Sequence, residues 1–281
     1  MRKLVINHLL EPPNRVTGIT RFLFSLTAGL LRNAQFDIVL ATTWDKASLP
    51  APLHHPRLEV ETLPFEPKAI VNVFRQNRLL PELMRRHGAD AEFNANPIGG
   101  FSGNWMRIIT LHDLYYRLMP EAYPFRHRAI WRGLFPLSVQ HADAILVPSD
   151  STRQDLAKYY RNAARKAFVV HEAPAMTGPF EPRSPLITGR HGIMVGNLSP
   201  NKNAAVIVDA IARLAERGVR VPLLHVGRDE LGILAAAQSK TSSAVEIVSV
   251  AGIDDATLHA AFTHAAFFIN ASLHEGFCLP L

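Results

Sequence analysis

Short apolar runs alternate with amphipathic stretches from one end of the chain to the other, and this alternation constrains the fold more than any other feature. The pattern is typical of parallel strands covered by helices, so the sequence predicts an α/β fold. The first series of predicted strands is Lys3–Asn7, Phe36–Ala41, Ala89–Phe93, Arg107–Leu111, Ala144–Val147 and Phe168–His171. The apolar faces of two intervening helices are Ile19, Phe22, Leu23, Leu26 and Leu30, and, less regularly, Ile70, Val73, Phe74, Leu80, Leu83 and Met84.

A second series of the same kind occupies the C-terminal third of the chain. Its predicted strands are Gly192–Val195, Leu223–Val226, Val245–Val250 and Phe267–Asn270, with helices near Ala204–Arg217, Leu231–Gln238 and Asp255–His264. Residues 173–185 contain four prolines and no periodicity, which is typical of a linker. We therefore predict two Rossmann-like domains, residues 1–173 and 186–281, joined by a linker of residues 174–185.

The second series is short. It has four predicted strands, whereas a Rossmann-like sheet usually has about six. We therefore expect the second domain to be incomplete at its C-terminal end, with the last strand left without full cover.

Composition places the chain among globular proteins, with 48% hydrophobic and 19% charged residues. No apolar stretch is as long as a membrane span. The basic N-terminus, Met1-Arg2-Lys3, leads into the first predicted strand and not into a cleavable signal, so a cytoplasmic protein is expected. A single cysteine, Cys278, excludes an internal disulfide and argues against a cysteine-based zinc site.

The chain carries a formal net charge of +6 and a pI near 9.7. A basic surface favours phosphates, anionic lipid headgroups or nucleic acid, but scattered Lys and Arg residues are equally typical of a solvated basic face. No basic run is interleaved with aromatic residues, so we expect no nucleic-acid partner.

Two loops of the first series are candidate sites, because ligands of open α/β sheets bind beyond the carboxyl ends of strands. Gly18 and Arg21 open a helix, where free N–H groups favour an anion, although a simple N-cap would look the same. His112 ends a strand and could bind a substrate hydroxyl or a leaving phosphate, with a structural histidine as the alternative.

Two loops of the second series are further candidates. The segment from Gly196 to Asn203 places Lys202 before a helix, where a lysine can neutralise a diphosphate, and Asn203 could act as a cap. The segment from Ser272 to Leu281 presents the carboxylate of Glu275 and backbone N–H groups just beyond a strand.

Several enzyme classes lack support. The chain contains no G-x-G-x-x-G, G-x-x-x-x-G-K-[ST], G-x-S-x-G or H-E-x-x-H sequence, which argues against dinucleotide oxidoreductases, P-loop ATPases, α/β-hydrolases and zincins. A D-x-D motif is also absent, so we expect a metal-independent protein without a cofactor.

Taken in order, these segments resemble glycosyltransferase family 4, the group 1 retaining transferases of GT-B architecture, in which two Rossmann-like domains face a cleft. The similar segments are Ile108-Ile109-Thr110-Leu111-His112-Asp113-Leu114, Pro120-Glu121, His141 to Ser149, Val195 to Asn203, and Ala265 to Leu281. The last segment, with its E-G-F run, is the most specific, and the resemblance spans nearly the whole chain.

The resemblance implies roles for particular residues. His112 would contact the transferred sugar, Lys202 the diphosphate and Glu275 the sugar hydroxyls. Gly18 would approach the donor phosphate or, with Arg21, the acceptor. The remaining implied donor-binding residues are Gly196, Asn201, Gly276, Phe277, Cys278 and Leu279.

Three departures from the family pattern stand out. Asn201 replaces an arginine, which removes one of two expected phosphate cations, and Cys278 replaces a glycine. A second glutamate, implied to hold the donor ribose, would come eight positions after Glu275 and therefore beyond Leu281. The resemblance is therefore to a C-terminally truncated member.

Three functions remain open from the sequence. The first is a retaining transfer of a hexose such as mannose from a nucleotide sugar to a polysaccharide or lipid-linked glycan, with peripheral contact at the inner face of the membrane. The second is a non-catalytic remnant or binding fragment of such an enzyme. The third is a sugar-nucleotide epimerase of similar build, against which the E-G-F segment argues.

Overall fold

The computed structural model describes residues 2–33, 35–120, 125–173, 178–241 and 245–280. The chain divides into two compact units, Met1–Leu118 with Tyr123–Ala175, and Met119–Ala122 with Met176–Leu281. Each unit is built on a parallel β-sheet, so the predicted α/β fold is confirmed. No helix among the described residues is both long and apolar enough to cross a membrane.

The first unit contains a parallel sheet with the strand order β3-β2-β1-β4-β5-β6-β7. Its strands are β1 (Arg2–His8), β2 (Phe36–Thr42), β3 (Leu58–Thr62), β4 (Ala91–Asn94), β5 (Met106–Thr110), β6 (Ala144–Val147) and β7 (Ala167–Val169). Its helices are α1 (Gly18–Arg32), α2 (Ala69–His87), α3 (Tyr115–Leu118), α4 (Phe125–His141), α5 (Asp150–Tyr159) and α6 (Arg161–Ala164). The strand order reverses between β1 and β4, which is where ligands bind in open α/β sheets.

Helix α1 illustrates how the sequence determines an element of this unit. Thr17 caps its N-terminus by accepting a hydrogen bond from the backbone N–H of Thr20. Its predicted apolar face is buried through Phe22 and Leu23, which join the core formed by β1 and β2. Burying such side chains contributes about 1.5–3 kcal/mol each.

Two features of the first unit differ from the sequence prediction. Strand β3 was not predicted, because it is a short edge strand in which Leu58 is buried while Glu59 and Thr62 are exposed. Phe74 was expected on the buried face of α2, but its side chain is 72% exposed. The face is carried instead by Val73, Leu80, Leu83 and Met84.

The second unit contains a parallel sheet with the strand order β10-β9-β8-β11. Its strands are β8 (Gly192–Val195), β9 (Leu223–Val226), β10 (Ile247–Val250) and β11 (Phe267–Phe268). Its helices are α7 (Ala204–Glu216), α8 (Ile233–Gln238) and α9 (Asp255–His264). One apolar cluster joins α7 to the sheet, and a second joins α9 to the opposite side of the strands.

The last predicted strand is shorter in the structure than in the sequence prediction. Only Phe267 and Phe268 pair with β8, and the Phe267 side chain is 42% exposed at the sheet edge. In the predicted linker, residues 178–185 form neither helix nor strand, and residues 174–177 lie outside the described residues. The linker boundaries therefore stay a prediction.

His8, at the end of β1, should make the protein sensitive to acid. Its ring is buried beside the hydroxyls of Thr42 and Thr20, and burial lowers the pKa of His8 to about 4. In the unfolded chain the His8 ring takes up a proton near the ordinary pKa of about 6.5. In the folded protein the same ring stays neutral until the pH falls to about 4. The stability that the neutral His8 ring contributes is therefore fully present above about pH 6.5, and it is lost as the pH falls toward about 4.

We expect this loss to be about 2–3 kcal/mol, since each unit of pKa shift corresponds to about 1.4 kcal/mol. Urea unfolding of the full chain near pH 7 and near pH 4.5 would measure it. In His8→Gln the difference between the two pH values should shrink by that amount. An unchanged difference would show that His8 is not the group responsible.

Candidate functional site

The candidate residues of the second unit lie on two loops that the sheet brings together. One loop follows β8 and the other follows β11, and these two strands are hydrogen-bonded neighbours. Parallel strands end at the same edge of the sheet, so both loops emerge side by side. Strand order also reverses at β8, since β9 lies on its other side, and a reversal of this kind is a common ligand site.

Lys202 and Glu275 form an ion pair across these two loops. The Nζ atom of Lys202 lies 2.6 Å from Oε1 of Glu275, and the two side chains are 24% and 23% exposed. The hydroxyl of Ser272 donates to the same carboxylate oxygen at 2.5 Å. The structure therefore assembles a cation and an anion, 73 positions apart in the sequence, at one partly exposed point.

Gly196 begins the loop that carries the lysine and lies beside the lysine side chain. A Cβ atom on Gly196 would be 3.7 Å from Cε of Lys202, and the glycine has a φ of +133°. Gly227, after β9, lies very close to the backbone of Gly196. A Cβ atom on Gly227 would lie 2.2 Å from the carbonyl oxygen of Gly196. Gly227 thus allows the turn after β9 to pack against the backbone at Gly196, where the lysine loop begins.

Asn201, which stands where the family has arginine, joins the two loops. Its backbone carbonyl accepts a hydrogen bond of 2.8 Å from the N–H of Leu273, and its side-chain amide lies 3.5 Å from the carbonyl of His274. Ser199 donates to its side-chain oxygen. Asn203, by contrast, does not cap α7 through its side chain and has a left-handed backbone with a φ of +52°.

The backbone after Glu275 shows why the family has a glycine where this chain has Cys278. Cys278 has a φ of +69°, a conformation that costs a residue with a Cβ atom about 1–2 kcal/mol. The amide of Asn270 lies 3.2 Å from its sulfur. Phe277 is 37% exposed, while Gly276 and Leu279 are half-buried.

A buried histidine beneath the lysine loop was missed by the sequence analysis. His225 of β9 is fully buried, with Nε2 2.9 Å from the carbonyl of Gly196 and Nδ1 2.8 Å from the hydroxyl of Ser249. Burial lowers the pKa of His225, so the ring is neutral, donates from Nε2 and accepts from the serine. The ring thereby holds Gly196 in place. The only signal in the sequence is a histidine within an apolar strand.

In the first unit, His112 follows β5 and has partners at both ring nitrogens. Nδ1 lies 2.9 Å from Oε1 of Glu172, and Nε2 lies 3.0 Å from the carbonyl oxygen of Ala95. The ring packs edge-on against Phe22 of α1, with centroids 5.1 Å apart. Partners at both nitrogens are what a structural histidine would have, and this was the alternative that the sequence left open. The same partners hold the ring at the carboxyl edge of the sheet.

Gly18 and Arg21 lie at the start of α1, Gly18 one turn before and Arg21 immediately before Phe22, the residue that contacts His112. Gly18 is exposed, and Arg21 is half-buried. A carboxylate that the sequence analysis missed, Glu11, is buried beside this helix terminus. It accepts a hydrogen bond of 3.0 Å from the hydroxyl of Thr17, and its other oxygen lies 3.4 Å from the amide of Asn96. Its negative charge opposes a phosphate at this helix end.

One group of side chains in the described part of the chain has spacing compatible with a metal ion, namely Glu59, Glu61 and His87. The His87 ring contacts both carboxylates, at 3.4 and 2.9 Å, and Arg86 lies 3.1 Å from Glu61. These contacts form an ion-pair cluster around β3, at the far edge of the sheet from His112.

Comparison with known structures identifies the fold. The chain matches sucrose-phosphate synthase from Thermosynechococcus elongatus with a TM-score of 0.73 and 14% identity, over 100% of this chain and 78% of that one. It matches WaaG, a glycosyltransferase involved in lipopolysaccharide biosynthesis, with a TM-score of 0.68 and 13% identity, over 99% and 77%. Anabaena HepE, in complex with UDP and glucose, matches with a TM-score of 0.62 and 15% identity, over 98% and 75%.

These likenesses confirm the predicted GT-B class of fold. No curated protein matches the chain in sequence. Family models do match: residues 16–173 match Glycosyltransferase Family 4, and residues 189–281 match Glycosyl transferases group 1. The first match alone covers more than half of the chain, and the chain therefore belongs to glycosyltransferase family 4.

Proposed function

We propose that the protein transfers a hexose, such as mannose, with retention from a nucleoside diphosphate sugar to a polysaccharide or lipid-linked glycan. The observation that carries this proposal is the pairing of Lys202 with Glu275 where the order of strands reverses in the second sheet. A cation and a carboxylate at one point suit the two ends of such a donor, its diphosphate and its sugar hydroxyls.

Lys202 is the proposed diphosphate ligand. When the bond between the sugar and the diphosphate breaks, negative charge develops on the leaving phosphate oxygen, and a nearby cation stabilises it. The acceptor oxygen then bonds to the same sugar carbon from the same face, and its proton passes to the departing diphosphate. Glu275, released from the lysine, accepts hydrogen bonds from the sugar hydroxyls.

Four backbone positions complete the proposed donor site. Gly276, Phe277, Cys278 and Leu279 follow Glu275, and their N–H groups are the proposed ligands of sugar and phosphate. The Asn201 side chain is engaged with the neighbouring loop and supplies no positive charge. Lys202 is thus the proposed main cation for the diphosphate.

The residues of the first unit are proposed to serve the transferred sugar and the acceptor. His112 is proposed to contact the sugar, while Gly18 and Arg21 contact the acceptor. The charge of Glu11 favours binding of the glycan acceptor at Gly18 over binding of the nucleotide-sugar phosphate. A carboxylate accepts hydrogen bonds from a glycan hydroxyl and repels a phosphate.

The proposed reaction uses no metal ion or other cofactor, since charge on the diphosphate is neutralised by Lys202 and backbone N–H groups. We also propose a peripheral contact with the inner face of the membrane, where a lipid-linked acceptor would be found. The net charge of +6 supports attraction to anionic headgroups. Binding to vesicles with and without anionic lipid would test this contact.

A thermal-shift screen with UDP, GDP and ADP tests the proposed function directly. A ligand that binds only the folded protein raises its stability, by about 2.7 kcal/mol at a concentration of 100 times the dissociation constant. We expect one of the three nucleotides to raise the melting temperature and the corresponding nucleotide sugar to be consumed. Nucleotide binding without turnover would favour the alternative of a non-catalytic binding fragment.

His112→Ala should lower turnover by about 100-fold while leaving the affinity for the free nucleoside diphosphate within about twofold, because the proposed contact is with the sugar. Calorimetry with the nucleotide, beside a turnover assay, measures both quantities. His54→Ala is the matched control, since His54 is an exposed histidine of the same unit. Equal losses of affinity and turnover would mean that His112 is structural.

A further inference from the structure

Glu172 is a partly buried residue whose carboxylate has no role in the sequence prediction. It follows β7, and its side chain is only 6% exposed. Among the described residues, its contact is with Nδ1 of His112, at 2.9 Å. A carboxylate removed from water is stable as an anion only when a cation or several hydrogen-bond donors compensate it. Among the residues that the structure describes, the compensating group is the His112 ring.

The hydrogen bonds of the ring specify its charge. Both neighbours of His112, the Glu172 carboxylate and the Ala95 carbonyl, can only accept hydrogen bonds. A neutral imidazole carries one N–H and could satisfy one of them, whereas an imidazolium carries two and satisfies both. The nearby carboxylate of Asp113 accepts a hydrogen bond from the backbone N–H of Tyr115. With the Glu172 carboxylate ionised, both bonds therefore form only when His112 is charged.

We propose that Glu172 is a positioning residue that keeps His112 as an imidazolium, so that His112 serves the transfer reaction as a charged hydrogen-bond donor and not as a base. The inference rests on the proposed function, in which His112 contacts the transferred sugar. Its Nε2–H, now directed at the Ala95 carbonyl, is the donor that a sugar hydroxyl would share or take over. Glu172 and Phe22 hold the ring on its other sides.

The charge can be measured without any substrate. The full chain, labelled with ¹⁵N at its 13 histidines, is examined by NMR at about pH 7.5, where an ordinary histidine is mainly neutral. His112→Asn identifies the resonances of His112. We expect both of its ring nitrogens to carry a proton, and we expect one proton to be lost in Glu172→Gln. A neutral His112 ring in the unmodified protein would overturn the proposal.

The effect on transfer is measured with the same variants. Release of nucleoside diphosphate from UDP-glucose, GDP-mannose and ADP-glucose should fall at least tenfold in Glu172→Gln, since a charged donor that is lost typically costs a factor of this order or more. Affinity for UDP, GDP or ADP should stay within about twofold. Glu172→Asp, which keeps the charge, should recover part of the turnover and shows that the glutamine variant's loss is not one of folding.

Glu61→Gln is a matched control, because Glu61 also accepts from a histidine at 2.9 Å in the same unit, near the far edge of the sheet. It should change neither turnover nor the His112 resonances. Full turnover in a folded Glu172→Gln would overturn the role of Glu172. If the unmodified protein binds none of the nucleotides and consumes none of the donors, the proposed function fails, while the NMR experiment still decides the charge of His112.

Discussion

Lys202→Ala is expected to lower turnover by about 100-fold or more and to weaken nucleoside diphosphate binding by about tenfold. Removal of one well-placed charge-stabilising group typically costs about 2.7–4 kcal/mol in the transition state. The expected loss reaches at least the lower end of this range because Asn201, at the preceding position, supplies no second cation. The loss should be larger in turnover than in binding, since the charge on the diphosphate grows as the glycosidic bond breaks.

Calorimetry with UDP, GDP and ADP, together with the turnover assay, separates these two effects. Lys240→Ala is the control, since Lys240 is an exposed lysine of the same unit at the end of α8. It changes the net charge equally without touching the loop. Unchanged affinity and turnover in Lys202→Ala would remove Lys202 from the donor site.

Glu275→Gln tests whether Lys202 and Glu275 bind different parts of the nucleotide sugar. The carboxylate competes with any phosphate for Lys202 in the free protein, where the two groups lie 2.6 Å apart. Its removal should therefore leave nucleoside diphosphate binding unchanged or tighter, while turnover of the nucleotide sugar falls. Parallel losses of both would instead indicate that Glu275 only supports the loop.

Gly227→Ala is expected to destabilise the second unit by about 3 kcal/mol or more. The new Cβ atom would lie 2.2 Å from the carbonyl oxygen and 2.5 Å from the carbonyl carbon of Gly196, and neither backbone atom can rotate away as a side chain would. The φ of Gly227, +155°, adds strain for any residue with a side chain. The loop that carries Lys202 must shift for the variant to fold, so donor binding should weaken as well.

Thermal and urea unfolding of the full chain, with nucleotide binding as a second measurement, tests this expectation. Gly218→Ala is a matched control in the same unit, because Gly218 has a φ of +79° but nothing within 4 Å of its Cβ position. The control should lose only about 1–2 kcal/mol from backbone strain and keep its affinity. Equal destabilisation of both variants would show that the close approach to Gly196 is unimportant.

The sequence alone determined the class of fold and most strands of both sheets. Buried parallel strands leave short apolar runs and their covering helices leave a helical period, and both signals are local. The same local reasoning placed His112, Lys202 and Glu275 on loops beyond the carboxyl ends of strands, and Gly18 at the start of a helix. It failed at β3 and Phe74, where an edge strand and an exposed face carry weak or misleading patterns.

Only the tertiary structure decided which of these residues meet. Lys202 and Glu275 are 73 positions apart and come together because β11 pairs with β8, while His112 and Glu172 are 60 positions apart and meet at the carboxyl edge of the first sheet. Strand order is set by the packing of the whole unit and leaves no local trace in the sequence. The charge inferred for His112, the support of Gly196 by His225 and the loop-joining role of Asn201 all depend on such contacts.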